Sequence, residues 1–123
     1  MEWRDDVLAE VGRGMGIEGL DFSGTGVISF EFERMGTLYM EHQEDGVLMY
    51  LIRELPAHDY MEVLEKALKL CHYTQSQQFP LQVGAQEREQ LFLCIYLANE
   101  EFDRPNVETV IQSLTAYFDS LEI

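Results

Sequence analysis

The sequence predicts an α+β domain, helices packed on a mostly antiparallel twisted sheet, in the order α-β-β-β-α-β-β-α. Three observations carry that expectation. Apolar residues recur at helical spacing near both ends and in the middle of the chain. Between them lie runs that alternate polar with apolar or are apolar throughout, as strands are. Glycine, proline and Asp-Gly signals punctuate the runs. At 123 residues the chain fits a single domain, residues 1–123, without repeats or low-complexity tracts. A chain of 14.3 kDa buries about two thirds of its unfolded surface, so it can build a core without disulfide or metal staples.

Each element has its own signal. Trp3, Val7, Leu8, Val11 and Met15 form one stripe of a helix over 2–14, and Gly12, Gly14 and Gly16 accumulate where it should stop. Ile28, Phe30 and Phe32 alternate with Ser29, Glu31 and Glu33, a strand with one wet face. Met35-Gly36 reads as a turn, and Thr37 to His42 as the next strand. Asp45-Gly46 marks a hairpin. Val47 to Ile52 is apolar on both faces, which places it deep in the sheet or under a second layer. Pro56 then bounds a helix over about 57–73, whose apolar residues cover so much of its circumference that it should touch two bodies. After a polar linker, strands are expected at Phe79 to Gly84 and Leu91 to Leu97. Asp103 and Pro105 open a last helix, with Val107, Val110, Ile111, Leu114, Tyr117, Phe118 and Leu121 as its stripe.

The charge excludes several functions. Eight Lys and Arg against 23 Asp and Glu leave a net charge of -15, which repels phosphate backbones and anionic lipid. Nucleic acid and membrane insertion are therefore not expected. A hydrophobic content of 46% with 11% aromatics argues against disorder. The opening residues are acidic rather than basic and carry no apolar run, so no signal peptide is read there. Cys71 and Cys94 form no CxxC pair and sit in apolar surroundings, which suits two buried thiols in a reducing cytoplasm, with a disulfide between them as the alternative.

No constellation of catalytic chemistry emerges. His42, His58 and His72 lack metal-ligand spacing, and no cofactor or metal is expected. The Gly12-Arg13-Gly14-Met15-Gly16 run follows a helix rather than a strand and has no P-loop lysine, so it reads as a helix stop. Carboxylate pairs such as Asp5-Asp6 and Glu44-Asp45 fall at a terminus or a turn, where solvation is the default. No serine lies in a G-x-S-x-G context. An enzyme is not expected.

What remains is surplus apolar surface. Residues 66–98 hold Lys66, Lys69 and Arg88 against Glu87 and Glu89, a net +1 in a chain of -15. Interface cores are depleted of charge, so this block reads as a subunit seam built from Leu64, Leu68, Cys71, Phe79, Leu81 and Val83. A buried core strand and helix would leave the same pattern. A second surplus lies on the first helix and first sheet, where Trp3, Val7, Phe30, Phe32, Leu38 and Met40 are candidates to grip an extended partner by side-chain pockets or by strand addition.

Several stretches carry a family resemblance. Met1-Glu2-Trp3, Gly36-Thr37-Leu38-Tyr39-Met40-Glu41, Leu51-Ile52-Arg53-Glu54-Leu55, Lys66-Ala67-Leu68-Lys69-Leu70 and Pro80-Leu81-Gln82-Val83-Gly84 succeed one another in an order and spacing that resembles the SycN branch of the class I type III secretion chaperones, the Tir-chaperone or CesT-like family. The resemblance spans nearly the whole chain. It implies a dimeric chaperone of the bacterial cytoplasm without ATPase activity, which keeps the N-terminal region of a secreted gatekeeper or regulator extended, soluble and secretion-competent. It further implies pairing with a sister chaperone, with the second helix and the Phe79–Gly84 strand at the dimer contact. A homodimeric effector chaperone of the same fold, or an acidic module that masks a basic partner, are the alternatives.

Overall fold

A computed structural model describes residues 2–17, 22, 26–32, 36–55, 59–77, 79–86 and 90–121. Its elements are α1 (Glu2–Met15), β1 (Val27–Phe32), β2 (Gly36–His42), β3 (Gly46–Glu54), α2 (Tyr60–Thr74), β4 (Gln82–Gln86), β5 (Gln90–Ala98), a 3-10 turn (Asn99–Glu101) and α3 (Arg104–Ser120). The order is the α+β order expected. The strands form one antiparallel sheet, β1-β2-β3-β5-β4. The strand apolar on both faces, β3, is central. Residues 33–35 of the first expected turn, Pro56, His58 and the charged residues 87–89 lie outside the described residues.

One expected strand moves. The Phe79–Gly84 run enters the sheet only at Gln82, which pairs with Cys94. The cause is hydrogen bonding upstream. Thr74 Oγ1 accepts the Leu81 N–H at 2.9 Å, and the Leu81 carbonyl accepts from Cys71 Sγ at 2.7 Å and Gln75 Nε2 at 3.3 Å. Pro80 has no N–H to give a ladder. Residues 79–81 are thus tied to the end of α2, and the ladder begins where that tie ends.

The core lies on one face of the sheet. Leu38 and Met40 of β2, Val47, Met49 and Leu51 of β3, and Leu91, Leu93, Ile95 and Leu97 of β5 share one side by register. They meet Leu8 and Val11 of α1, Val63 and Ala67 of α2, and Val107, Val110, Leu114 and Phe118 of α3, all almost fully buried. Asp103 caps α3 by accepting the Asn106 N–H at 2.8 Å. Gly16 closes α1 at φ 77°, a conformation glycine adopts without strain. Arg53 spans the edge of this core, its guanidinium 4.6 Å from the Phe118 ring centre and 3.8 Å from Asp119.

Candidate protein-binding surfaces

Three features could hold another polypeptide, and each is built from a different element. The first is the sheet face opposite the core. Successive side chains of a strand alternate in direction, so Tyr39 of β2, Leu48, Tyr50 and Ile52 of β3, and Phe92, Cys94 and Tyr96 of β5 share that side. None belongs to the core cluster. Tyr39 stacks on Tyr50 with ring centres 5.0 Å apart and planes 10° from parallel, and Tyr50 meets Phe92 at 6.1 Å. Two glycines accommodate the rings: a Cβ at Gly84 would collide with the Phe92 ring, and one at Gly46 with the Tyr96 ring. The result is a band of half-buried aromatic and aliphatic side chains running across three strands, with Tyr96 38% exposed.

The electrostatics of this band are quiet. Burial first, then the charge of Glu41, raises the Tyr50 hydroxyl above its ordinary pKa, and burial pushes the Cys94 thiol up to about 11. Both groups are neutral near pH 7. Glu31 and Glu41 border the band on β1 and β2, so its acidic side is the β1 side. Beyond them β1 is an edge strand of the sheet.

The second feature is the start of α1. Arg4 is 3% exposed, and its guanidinium donates to the carbonyls of Gln43 at 3.0 Å and Glu44 at 3.3 Å and to Asn99 Oδ1. That clamp ties α1 to the β2–β3 turn and the 3-10 turn. Trp3 stands on it, 45% exposed, with its ring 5.4 Å from the guanidinium and edge-on to Phe102 at 6.1 Å. Phe22 completes the cluster against Phe102 and His42, and Asp5 accepts its N–H at 2.9 Å. His42 has its pKa lowered, first by burial and then by Arg4, and its Nε2 has no hydrogen-bond partner among the described residues.

The third feature is the outward side of α2. Val63, Ala67 and Thr74 turn into the core, Leu64 and Leu70 pack at its margin, and Met61, Leu68 and Tyr73 stand 72%, 54% and 76% exposed. Shallow hollows lie on both sides of Leu68, one lined by Met61, Glu62, Leu64 and Glu65, the other by Glu65, Lys69, His72 and Tyr73.

The residues expected at the two surfaces divide accordingly. Of the seam set, Leu68 is exposed, Leu64, Cys71, Phe79 and Val83 are partly buried, and Leu81 is fully buried in the chain's own core. Of the client set, Trp3 is exposed and Val7 and Phe30 lie at the core margin. Leu38 and Met40, at 1% and 0% exposure, point into the core and offer nothing to a partner. The Phe32 side chain lies outside the described residues. The parity error at 38 and 40 had a signal: Thr37 and Glu41 are polar and share the side of Tyr39, so that side is the outer one. Leu48, Ile52, Phe92 and Tyr96 of the band were hidden because β3 and β5 are apolar on both faces.

Among the described residues no group of three or more His, Cys, Asp or Glu is placed to hold a metal ion, and no helix is long and apolar enough to cross a membrane. The family model of the type III secretory system chaperone SycN matches residues 3–120. The chain belongs to that family. The match runs over all three surfaces of this SycN-family chaperone, from Trp3 to the end of α3. Among solved structures, a chain of the HopA1–SchA chaperone–effector complex superposes with a TM-score of 0.75 at 12% identity, covering 94% of this chain and 90% of that one. A chain of the ExsC–ExsE complex gives 0.73 at 16% identity, with coverages of 98% and 90%. A chain of the heterodimeric ExoU–SpcU complex from the Pseudomonas aeruginosa type III secretion system gives 0.69 at 18%, with 93% of each chain covered. At such identities the likeness establishes a shared fold. No curated protein sequence matches the chain.

Proposed function

We propose that this SycN-family chaperone binds the extended N-terminal region of a secreted gatekeeper or regulator protein in the bacterial cytoplasm and keeps it soluble and secretion-competent, acting as one subunit of a dimer. The observation that carries the reading is the aromatic band on the outer sheet face, an apolar surface outside the core of a chain otherwise coated in negative charge. Contiguous apolar patches on small soluble proteins mark partner sites. The half-buried rings supply rigid anchoring places at low entropic cost, because their neighbours already restrict them. An unfolded segment loses its own conformational freedom on binding, so it needs a long footprint. The band, the adjacent β1 edge and Trp3 on its Arg4 clamp provide one. The acidic coat keeps the loaded complex apart from its neighbours by repulsion. The chemistry is recognition and holding, with no catalytic step and no cofactor.

A second reading gives the chaperone an effector as client and a homodimer as its assembly. Its effector client is favoured by the HopA1–SchA neighbour, a chaperone–effector complex. Affinity purification from the native cell, followed by limited proteolysis and mass spectrometry of what co-purifies, tests both. The proposal predicts a secreted protein whose N-terminal region alone is protected. Recovery of only non-secreted partners, or protection of a folded domain, would refute it. A complex that dissociates steeply with added salt would instead indicate an acidic module masking a basic partner.

A further inference from the structure

We infer that a slot beside Tyr39 takes an arginine of the bound client segment, its guanidinium stacked on the ring and bonded to Glu31 and Glu41. This rests on the reading of the outer sheet face as the client surface and names the side chain that the face selects. The register builds the slot from two strands. Ser29 of β1 is the cross-strand neighbour of Tyr39 on β2, and both lie on the outer side. One face of the Tyr39 ring is taken by Tyr50, with ring centres 5.0 Å apart and planes nearly parallel. The other face is on the β1 side, where its neighbour is exposed Ser29, too small to cover a ring. Glu31 follows Ser29 along β1 and Glu41 follows Tyr39 along β2, both on the outer side, so a carboxylate stands at each end of the slot. Four residues along the ladder and one strand across set their Cα atoms about 14 Å apart. Two glutamate side chains reaching inward from that separation leave room for one planar guanidinium between them.

The charge of the face argues for a cation there. Among the described strand residues the outer side carries Glu31, Glu41 and Glu54 and no Lys, Arg or His, because the same parity turns His42 and Arg53 to the core side. Among the described residues no ion pair reaches any of the three carboxylates. Glu41 is half-buried, and after burial its charge is the next cause of the raised Tyr50 hydroxyl, which puts it within electrostatic reach of the stacked rings. A wholly apolar segment laid over the band would strip water from this carboxylate and give nothing back. A segment that brings a cation removes that cost. Arginine suits the slot better than lysine: its planar fork bonds carboxylates in pairs and lies flat on an aromatic face, whereas an ammonium is a compact, strongly hydrated point charge. One such contact within an apolar footprint leaves the salt dependence of binding shallow, unlike the wholesale masking of a basic partner.

The test titrates short acetylated and amidated peptides, alternating valine and threonine around one central arginine or citrulline, into isotope-labelled chaperone and follows its amide resonances. Citrulline keeps the planar group and removes the charge. The inference expects saturable shifts at Ser29, Glu31, Tyr39 and Glu41, and a dissociation constant about tenfold lower for the arginine peptide than for the citrulline one. The Glu31→Gln/Glu41→Gln protein should keep the circular dichroism of wild type, since both residues point away from the core, and should bind the two peptides alike. No saturable shift at millimolar peptide, equal binding of the two peptides by wild type, or a preference that survives in the double variant would overturn the slot. A lysine peptide as tight as the arginine one would overturn the guanidinium assignment. The underlying reading fails separately: if wild type treats the peptides alike but Tyr50→Glu still weakens the co-purified client, the slot alone is discarded. If Tyr50→Glu leaves client affinity unchanged, the reading and the inference fall together.

Discussion

Two adjacent residues of β2 should respond to truncation in opposite ways. Met40 is fully buried, opposite Met49 on β3 and Ile28 on β1. Met40→Ala removes buried thioether and methylene groups and leaves a cavity in a close-packed layer, a loss of about 3 kcal/mol. For a chain of this size that lowers the melting temperature by roughly 12 °C. Tyr39 points the other way and stacks on Tyr50. Tyr39→Ala forfeits one aromatic pair on a half-open face, about 1 kcal/mol, or roughly 4 °C. Client affinity should invert the order. Tyr39→Ala should weaken binding of the co-purified client about tenfold or more, whereas Met40→Ala, measured well below its melting point, should change it less than about threefold. Thermal melts by circular dichroism and a binding titration on the three proteins suffice. Equal destabilisation by the two variants, or a Met40→Ala protein as stable as wild type, would refute the assignment of the core and outer faces.

Three other expectations follow from the clamps that position these surfaces. Arg4→Met should cost about 2–3 kcal/mol in urea denaturation, because it strips charged donors from two carbonyls and the Asn99 amide, and it should weaken client binding by freeing Trp3. His42 is held neutral by burial and by Arg4, so the unfolded chain binds the proton more readily than the folded one. Stability from this residue is present above its ordinary pKa of 6.5 and is lost as the pH falls from there through the lower folded value. The urea midpoint should therefore drop between about pH 7.5 and pH 5.5 by more in wild type than in His42→Gln, and parallel curves would remove His42 as the cause. Thr74→Val keeps the shape but leaves the buried Leu81 N–H without its acceptor. It should cost about 1–3 kcal/mol and speed amide exchange at Leu81, with unchanged exchange contradicting the tie.

The element order was legible because helix and strand periods differ, and the signals that separate them, Asp45-Gly46, Gly16 and Asp103-Arg104-Pro105, act locally. The antiparallel sheet with β3 at its centre followed from β3 being apolar on both faces. The start of β4 was not legible, because the Thr74 to Leu81 hydrogen bond that delays it joins residues seven positions apart and has no compositional signature. The surfaces were legible in part. The charge-poor block pointed to α2, yet it could not separate exposed Leu68 from buried Leu81, since charge counts ignore direction. On β2 the polar parity of Thr37 and Glu41 held the answer for Leu38 and Met40. On β3 and β5 no such parity exists, and only the placement of all three helices on one side distinguishes Tyr50 from Met49. The Arg4 clamp left no trace in sequence, because its acceptors at Gln43 and Glu44 are backbone carbonyls.

The central claim is that the outer aromatic face holds an extended segment of a secreted protein. The direct measurement is a calorimetric titration of the isolated N-terminal region of the co-purified client into wild-type chaperone and into Tyr50→Glu. The account predicts saturable binding with a large negative heat-capacity change, a client segment whose circular dichroism stays non-globular, and an affinity at least about tenfold lower for the folded Tyr50→Glu protein. An affinity untouched by Tyr50→Glu, or a segment that binds only as a folded domain, would contradict it.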